Sequence, residues 1–370
     1  MEIKSKFLIL GLIIMLFNSI YQYSWNSIAP LLLRTLNVNL TEVELAFTLY
    51  VIFSSFSQII GGYIIDTLGP KLIGVFCSIL FSLGFLVPVF IRNILVFYAF
   101  WSVGSIAEGI LYGVAVNLAI KWYEKSRGFA TGLISLGFGI GGAIFNPFIS
   151  LFKYYFFPFI IIGFLSLIIL LIISLNISYP PKDVLKGQNP VTVIKRRDWW
   201  VLYFSYVLAI IPLLSFSSSL SFLGSKLPKW ELLLAITLFP IMSGVGRPLF
   251  GMISDRLNRF NSIILLNTLS LISSMLSLIS LPISAILVGL FGGSTLTLYL
   301  SFVGDLYGTR FSGTNSGMLY TAKAVAGVLS STLLGFLILK NIKLAILFII
   351  ISPVISILLL TIIKFRYMSN

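Results

Sequence analysis

The feature that most constrains this chain is a series of apolar runs separated by short polar breaks. The runs approach the roughly 20 residues that a helix needs to cross a bilayer. In hydrocarbon every backbone amide needs an internal partner, so a spanning segment is a helix or a strand of a closed barrel. Long runs without alternation are helical. Hydrophobic residues make up 58% of the 370 and charged residues 10%, which excludes an ordinary soluble domain. The expected fold class is all-α transmembrane.

Cutting at charges and at Pro or Gly clusters predicts twelve spans, in two sets of six. The first set covers 7–33, 43–65, 72–91, 94–120, 128–151 and 157–178; the second covers 199–223, 232–253, 262–281, 284–303, 314–338 and 344–363. Between them lies the longest polar stretch, from Tyr179 to Asp198, with Pro180, Pro181, Lys182, Lys186, Lys195, Arg196 and Arg197. The expected organisation is a six-helix bundle over 1–178, a cytoplasmic linker over 179–198 and a second bundle over 199–370. The first span exceeds a signal-peptide core and runs to Arg34 without a small-residue cleavage site, so it is read as a retained helix.

Basic loops are held on the cytoplasmic side. With both termini inside, inner segments hold sixteen of the 25 Lys and Arg residues and outer loops hold seven. The expected location is the plasma membrane, with both ends cytoplasmic. The net charge of +14 sits in those loops and not on a soluble basic face, which argues against nucleic acid as a partner. Cys77 is the single cysteine and there is no histidine. An internal disulfide is therefore excluded, and no metal or cofactor is expected. An intramembrane enzyme would need paired mid-span aspartates, a Ser-His dyad or metal ligands, and none is present, so the chain is not read as an enzyme.

The two basic residues left over, Arg247 and Lys323, fall inside spans, as does Glu108. A charge at the bilayer centre costs about 2.5–3.5 kcal/mol on insertion scales, so such residues mark protein interiors or wet cavities. Arg247 precedes Asp255 by eight residues, roughly 12 Å of helix, and Lys323 follows Gly313 by ten, roughly 15 Å. Two cations on different helices thus reach similar depth. An anion between them would offset their repulsion, with guanidinium gripping a carboxylate and ammonium adding a point charge. The other reading is an arginine tied to helix-end carbonyls and a lysine reaching toward the membrane edge.

An internal repeat supports equivalent halves. "GGYIIDTLGPK" follows the second span and "GVGRPLFGMISDRLNR" the eighth, with Gly62 to Asp66 and Gly251 to Asp255 at the same spacing. Asp66 with Lys71, and Asp255 with Arg256 and Arg259, are expected at the membrane edge, pairing with one another or capping helix ends.

These loops resemble the Gly-x-x-x-Asp-x-x-Gly signature of the major facilitator superfamily. More narrowly, the chain is similar to the oxalate:formate antiporters and monocarboxylate transporters. The likeness lies in "YQYSW" (Tyr21 to Trp25), "AFTLY" (Ala46 to Tyr50), "DTLGPK", "GILYG" (Gly109 to Gly113), "RGFATG", "GFGIG", "GRPLFGMISDR" and "YTAKA" (Tyr320 to Ala324). It implies two pseudo-symmetric bundles and transport of a small organic anion such as lactate, pyruvate, formate or oxalate by alternating access, as antiport or proton symport. It also implies that Arg247 and Lys323 bind carboxylate, that Tyr112, Gln22 and Tyr23 line the site, and that Gly62, Asp66, Gly69, Lys71, Gly251, Asp255, Arg256 and Arg259 form gating loops. Thr67 and Asn258 depart from the signature. Span five, rich in glycine, is read as packing and hinge.

Glu108 departs from the family as well. It lies one turn from Tyr112 on the same helix face. It either balances one of the two cations, favouring a monoanion, or takes up a proton with the substrate; a glutamic acid bonded to a neighbouring helix is the structural alternative. Phe138 and the sequence "FGGSTLTLY" make the site less aromatic than an oxalate cage. The expected partners are a small carboxylate, protons in the symport case and the lipid bilayer, with the protein acting as a monomer. A drug or amphiphile exporter and a non-transporting receptor are the competing readings.

Overall fold

The computed structural model describes residues 2–38, 40–181, 185–224 and 226–367; Lys182 of the linker lies outside them. Among these residues twelve helices are long and apolar enough to cross a membrane. They are α1 (Ser5–Tyr23), α2 (Leu45–Thr67), α3 (Pro70–Phe90), α4 (Ile94–Trp122), α5 (Arg127–Ser150), α6 (Phe156–Asn176), α7 (Arg197–Leu220), α8 (Lys229–Leu257), α9 (Arg259–Leu278), α10 (Leu281–Tyr307), α11 (Ser312–Ile338) and α12 (Ile342–Thr361). The expected all-helical transmembrane class is what the chain adopts.

Several spans are interrupted where a continuous helix is expected, α7 at Ile210 among them. The first, read as continuous from Phe7 to Leu33, breaks at Ser24, and a separate helix covers Trp25–Leu36 with Pro30 inside it. The carbonyl of Tyr23, released at the break, accepts a hydrogen bond from Asn146 Nδ2 at 3.0 Å, so a side chain replaces the lost helical donor. In α11 the helix pauses at Thr321 and passes through a π turn over Leu329–Leu333. Such turns are often found at functional sites.

The chain forms two compact units, each completed by a stretch from the other half of the sequence. One comprises Met1–Glu124, Gly137–Gly187 and Gly308–Thr321, and the other Lys125–Leu136, Gln188–Tyr307 and Ala322–Asn370.

Lipid tails are as apolar as leucine, so within each unit helices are held by close backbone approach and by interhelical hydrogen bonds. In the first unit a Cβ on Gly109 of α4 would run into the Ser54 carbonyl of α2, and Ser57 Oγ donates to Ile106 O at 3.0 Å. Helices α3 and α6 are joined by Ser78 with Ser174 and by Ser82 with Ser166, both at 3.2 Å. Tyr21 of α1 lies over Gly84 and Gly104 and donates to Phe81 O at 3.1 Å, packed against Phe85 and Trp101. The second unit repeats the device. A Cβ on Gly246 of α8 would strike the Leu290 carbonyl of α10, and one on Gly293 would strike Ser243. Ser205, Asn267, Tyr299 and Ser356 form a buried network across α7, α9, α10 and α12.

A side chain at Gly104 meets the Tyr21 hydroxyl first. Gly104→Ala is therefore expected to cost about 1–3 kcal/mol through overpacking, lowering the melting midpoint in detergent by several degrees. Tyr21→Phe in that background should recover part of the loss.

Candidate functional site

Of the predicted substrate residues, Gln22, Tyr23, Glu108 and Tyr112 lie in the first unit and Arg247 and Lys323 in the second. All six are buried. In the first unit the end of α1 places Gln22 and Tyr23 just before the break at Ser24. Gln22 Oε1 accepts from Tyr50 Oη of α2 at 3.3 Å. Tyr23 packs edge-on against Phe138 of α5, with ring centres 5.1 Å apart, and Phe138 in turn meets Tyr112 of α4 at 5.9 Å. Tyr112 also lies 4.9 Å from Tyr320 of α11. A connected group of four rings results, and Gln22, bonded to Tyr50, precedes Tyr23 on α1.

Glu108, one turn before Tyr112 on α4, has no exposed surface. Ser54 Oγ of α2 donates to its Oε2 at 2.5 Å, and Asn18 Nδ2 of α1 donates to its backbone carbonyl at 3.1 Å. Three helices therefore fix this residue.

In the second unit Arg247 is 2% exposed and Lys323 1%. Pro248, next to Arg247, cannot donate to the carbonyl four residues back, which loosens α8 at this point. The α5 backbone lies against α8 here, because a Cβ on Gly132 would run into the Arg247 carbonyl. One turn further along α5, the carbonyl of Ser135 accepts from Arg247 Nη1 at 3.2 Å.

The repeated aspartates act as helix caps, at equivalent points of the two sequence halves. Asp66, in the last turn of α2, accepts from Gly313 N (3.2 Å), Thr314 N (2.7 Å) and Thr314 Oγ1 (2.8 Å) at the start of α11. Asp255, in the last turns of α8, accepts from Gly128 N (2.9 Å) and Phe129 N (2.7 Å) at the start of α5. Each carboxylate thus meets the positive end of a helix. Gly62 lets α2 and α11 touch, since a Cβ there would meet the Gly313 carbonyl; Gly251 does the same for α8 and α5 against Gly128.

The partners of these aspartates correct the sequence reading in part. Lys71 and Arg256 are exposed and take no part in these pairs. Asp66 pairs with Lys121 at the end of α4, at 2.7 Å. Asp255 pairs with Arg259 at 2.8 Å, as expected, and Arg259 also reaches Asp305 of α10 at 2.7 Å. Arg127 binds Asp305 as well. Lys121 and Arg127 sit at span ends, where a charge ordinarily faces solvent, yet they are only 6% and 5% exposed. Gly69 begins α3 at φ 88°. Asn258, where the signature has glycine, holds φ 119° and its side chain accepts from Phe260 N at 2.9 Å, which offsets the strain of the left-handed region.

The linker is seated on the same end of these helices. Trp122 Nε1 donates to Ser178 O at 2.9 Å, and Tyr179 Oη donates to Val114 O at 3.1 Å with its ring under Lys121 Nζ. Burial, and secondarily the nearby Asp66, push the Tyr179 phenol well above its ordinary pKa, so it remains a donor. Lys186 O then accepts from Thr309 N (2.8 Å) and Arg310 N (3.2 Å), and Gly187 pairs antiparallel with Gly308. Lys121 Nζ also donates to Arg310 O at 3.3 Å, which ties this strap to the Asp66 cap.

The sequence profile of the Major Facilitator Superfamily matches residues 8–331. The chain belongs to that superfamily. As a Major Facilitator Superfamily protein it is a multi-pass membrane transporter. It is 38% identical over 334 residues to an uncharacterised 38 kDa protein of Thermoproteus tenax, covering 90% of this chain and 88% of the other. It is 27% identical to the oxalate:formate antiporter of Oxalobacter formigenes, covering 87% and 82%. A probable sulfoacetate transporter of Cupriavidus necator is 24% identical, covering 91% and 88%. Among solved structures the superfamily transporter FucP, in an outward conformation, aligns with a TM-score of 0.77 at 14% identity, over 96% of this chain and 98% of its own. That likeness speaks to fold alone.

Lys121→Met leaves the Asp66 carboxylate buried without its ammonium and is expected to cost about 3 kcal/mol in unfolding stability. The Asp66→Asn/Lys121→Met double variant should lose less than the two single losses combined, and additivity would show the pair to be uncoupled. At the strap, Gly308 holds φ 81° with the Lys186 carbonyl where a Cβ would lie. Gly308→Val should raise protease cleavage within 185–189 while leaving the helices intact by circular dichroism.

Proposed function

We propose that this transporter carries a small organic anion, a mono- or dicarboxylate, by alternating access, and that Arg247 and Lys323 bind its carboxylate. The observation that carries the reading is the burial of two cations inside membrane-spanning helices of one unit, at 2% and 1% exposure. Taking two cations out of water is costly, and a bound anion contributes favourable charge where they lie. The carbonyl contact at Ser135 orients the guanidinium, and a guanidinium so fixed presents a planar fork that matches a carboxylate. Two relatives named for carrying anions, oxalate with formate in one and sulfoacetate in the other, support the same substrate class.

The ring group of Tyr23, Phe138, Tyr112 and Tyr320, with Gln22, supplies apolar walls and polar tips for a small flat solute. Glu108, tied to Ser54, contributes charge balance or carries a proton in symport. The caps at Asp66 and Asp255, with Gly62, Gly69, Gly251 and Arg259 around them, act as the gate. Breaking a charge-assisted cap frees a helix end, so this is where a conformational switch costs most. The gate faces the cytoplasm, where both termini lie, and the membrane is the plasma membrane.

In proteoliposomes, Arg247→Gln or Lys323→Gln should reduce carboxylate uptake at least 100-fold, and Arg247→Lys should not restore it, because ammonium lacks the bidentate fork. Undiminished uptake in both Gln variants would remove the site assignment. Competition by bulky amphiphiles, without competition by lactate, formate or oxalate, would replace the anion by a drug-like cargo.

A further inference from the structure

The linker carries apolar side chains that the strap does not use. Its short helix, Pro190–Ile194, is capped by Asn189, whose side chain accepts from Val191 N at 2.9 Å. Val193 is buried, while Val191 and Ile194, three positions apart and so on one face of the turn, are 62% and 39% exposed. Such a face is unfavourable in water.

The start of α7 shows where the face lies. Trp200 Nε1 donates to Ile194 O at 2.9 Å, so the end of the linker helix is tied to the first turn of α7. Trp200 and Phe204, one turn apart, are 44% and 52% exposed, with ring centres 6.1 Å apart. Because α7 spans the membrane, exposed rings in its first two turns lie against lipid, and tryptophan is favoured at the headgroup layer. The bond to Ile194 therefore holds the linker helix at that layer.

The charges beside this face are of two kinds. Arg196 is committed: Nε and Nη2 reach both oxygens of Asp198 at 3.0 and 2.8 Å, Nη1 meets Gln188 at 3.4 Å, and the guanidinium lies 5.7 Å from the Tyr307 ring. Lys195 and Arg197, on either side of it, are exposed, and their side chains have no ion pair or hydrogen bond among the described residues. Two cations without acids, beside an apolar face at the headgroup layer, match a lipid whose chains cover Val191 and Ile194 and whose phosphate meets the cations. A second copy of this chain fits poorly, because a two-fold contact would set these cations against their own kind.

We propose that the turn between the linker helix and α7 is a binding site for an anionic phospholipid. Lys195 and Arg197 hold the headgroup, and Val191, Ile194 and Trp200 lie along the acyl chains. Phosphatidylcholine has a phosphate too, but its choline cation cancels that charge, so the site selects headgroups of net negative charge. This site is independent of the cargo assigned to Arg247 and Lys323.

The purified full-length protein is titrated in detergent with phosphatidylglycerol or phosphatidylcholine, and bound lipid is read by native mass spectrometry as an affinity ratio. Wild type should favour phosphatidylglycerol. Lys195→Gln/Arg197→Gln should lower the ratio about 20-fold, each cation near an anionic surface being worth roughly fivefold. Lys125→Gln/Arg256→Gln removes the same charge from exposed positions elsewhere. It should change the ratio less than about twofold, since an isolated exposed charge holds an anion weakly. The lipid-free midpoint of Lys195→Gln/Arg197→Gln should match wild type, and a lowered midpoint would reveal a structural pairing and overturn the assignment. In nanodiscs, amide exchange over 190–194 should slow when phosphatidylglycerol replaces part of the phosphatidylcholine. Trp200→Phe, which keeps a ring without the indole N–H, should reduce that slowing. Equal affinity for the two lipids in wild type, an unchanged ratio in Lys195→Gln/Arg197→Gln, or an equal loss in both double variants overturns the proposal. So does a dimer that Lys195→Gln/Arg197→Gln dissolves, which would make the face a contact between copies.

Discussion

The structure depends on one constraint: in a bilayer no water is at hand to satisfy a polar group, so each must find its partner within the protein. Hydrophobic attraction does not draw helices together in lipid, and the contacts that do are small residues and hydroxyls. The glycines at 109 and 246, each pressed on a neighbouring carbonyl, and the serine pairs between α3 and α6 answer that constraint. The helix ends are answered by carboxylates. A helix start leaves several N–H groups without partners, and Asp66 and Asp255 each take two of them.

The two caps use one principle with different electrostatics. Asp66 is met by a single lysine in a fully buried pair. Asp255 shares Arg259 with Asp305, and Asp305 takes Arg127 as well, so two acids and two arginines form a chain in which Asp305 is partly exposed. A compact buried pair is weakened little by salt, while the more exposed chain is open to screening. Equivalent positions in the repeat therefore need not be equally strong under the same conditions.

Much of this was legible in the sequence. Span number, helical class and the repeated Gly-to-Asp spacing follow from apolar run length and simple periodicity, which lipid enforces strictly. Arg247, Lys323 and Glu108 stood out because a charge inside an apolar run is expensive. Lys121, Arg127 and Asp305 did not, because at the end of a run a charge facing solvent and one facing protein look alike. Their pairing is decided by which helices meet, and that is tertiary information. Tyr320 had a signal, three residues before Lys323, but its contact with Tyr112 depends on packing. Ser135 carried no signal at all: one serine in a glycine-rich span is unremarkable until the arginine beside it is placed. The break at Ser24 was hidden because serine neither ends a helix nor interrupts an apolar run, and it is Asn146, more than a hundred positions away, that accommodates it.

The strap formed by the linker is made almost wholly of main-chain contacts, Lys186 O to Thr309 N and Arg310 N, and Gln188 N to Tyr307 O. Main-chain groups are the same in every residue other than proline. Substitutions along 185–188 can therefore accumulate without loosening it, while Gly308, which leaves room for it, cannot change freely. A segment that looks hypervariable when related chains are aligned would still be anchored at the same place, and its drift would be a poor guide to whether it matters.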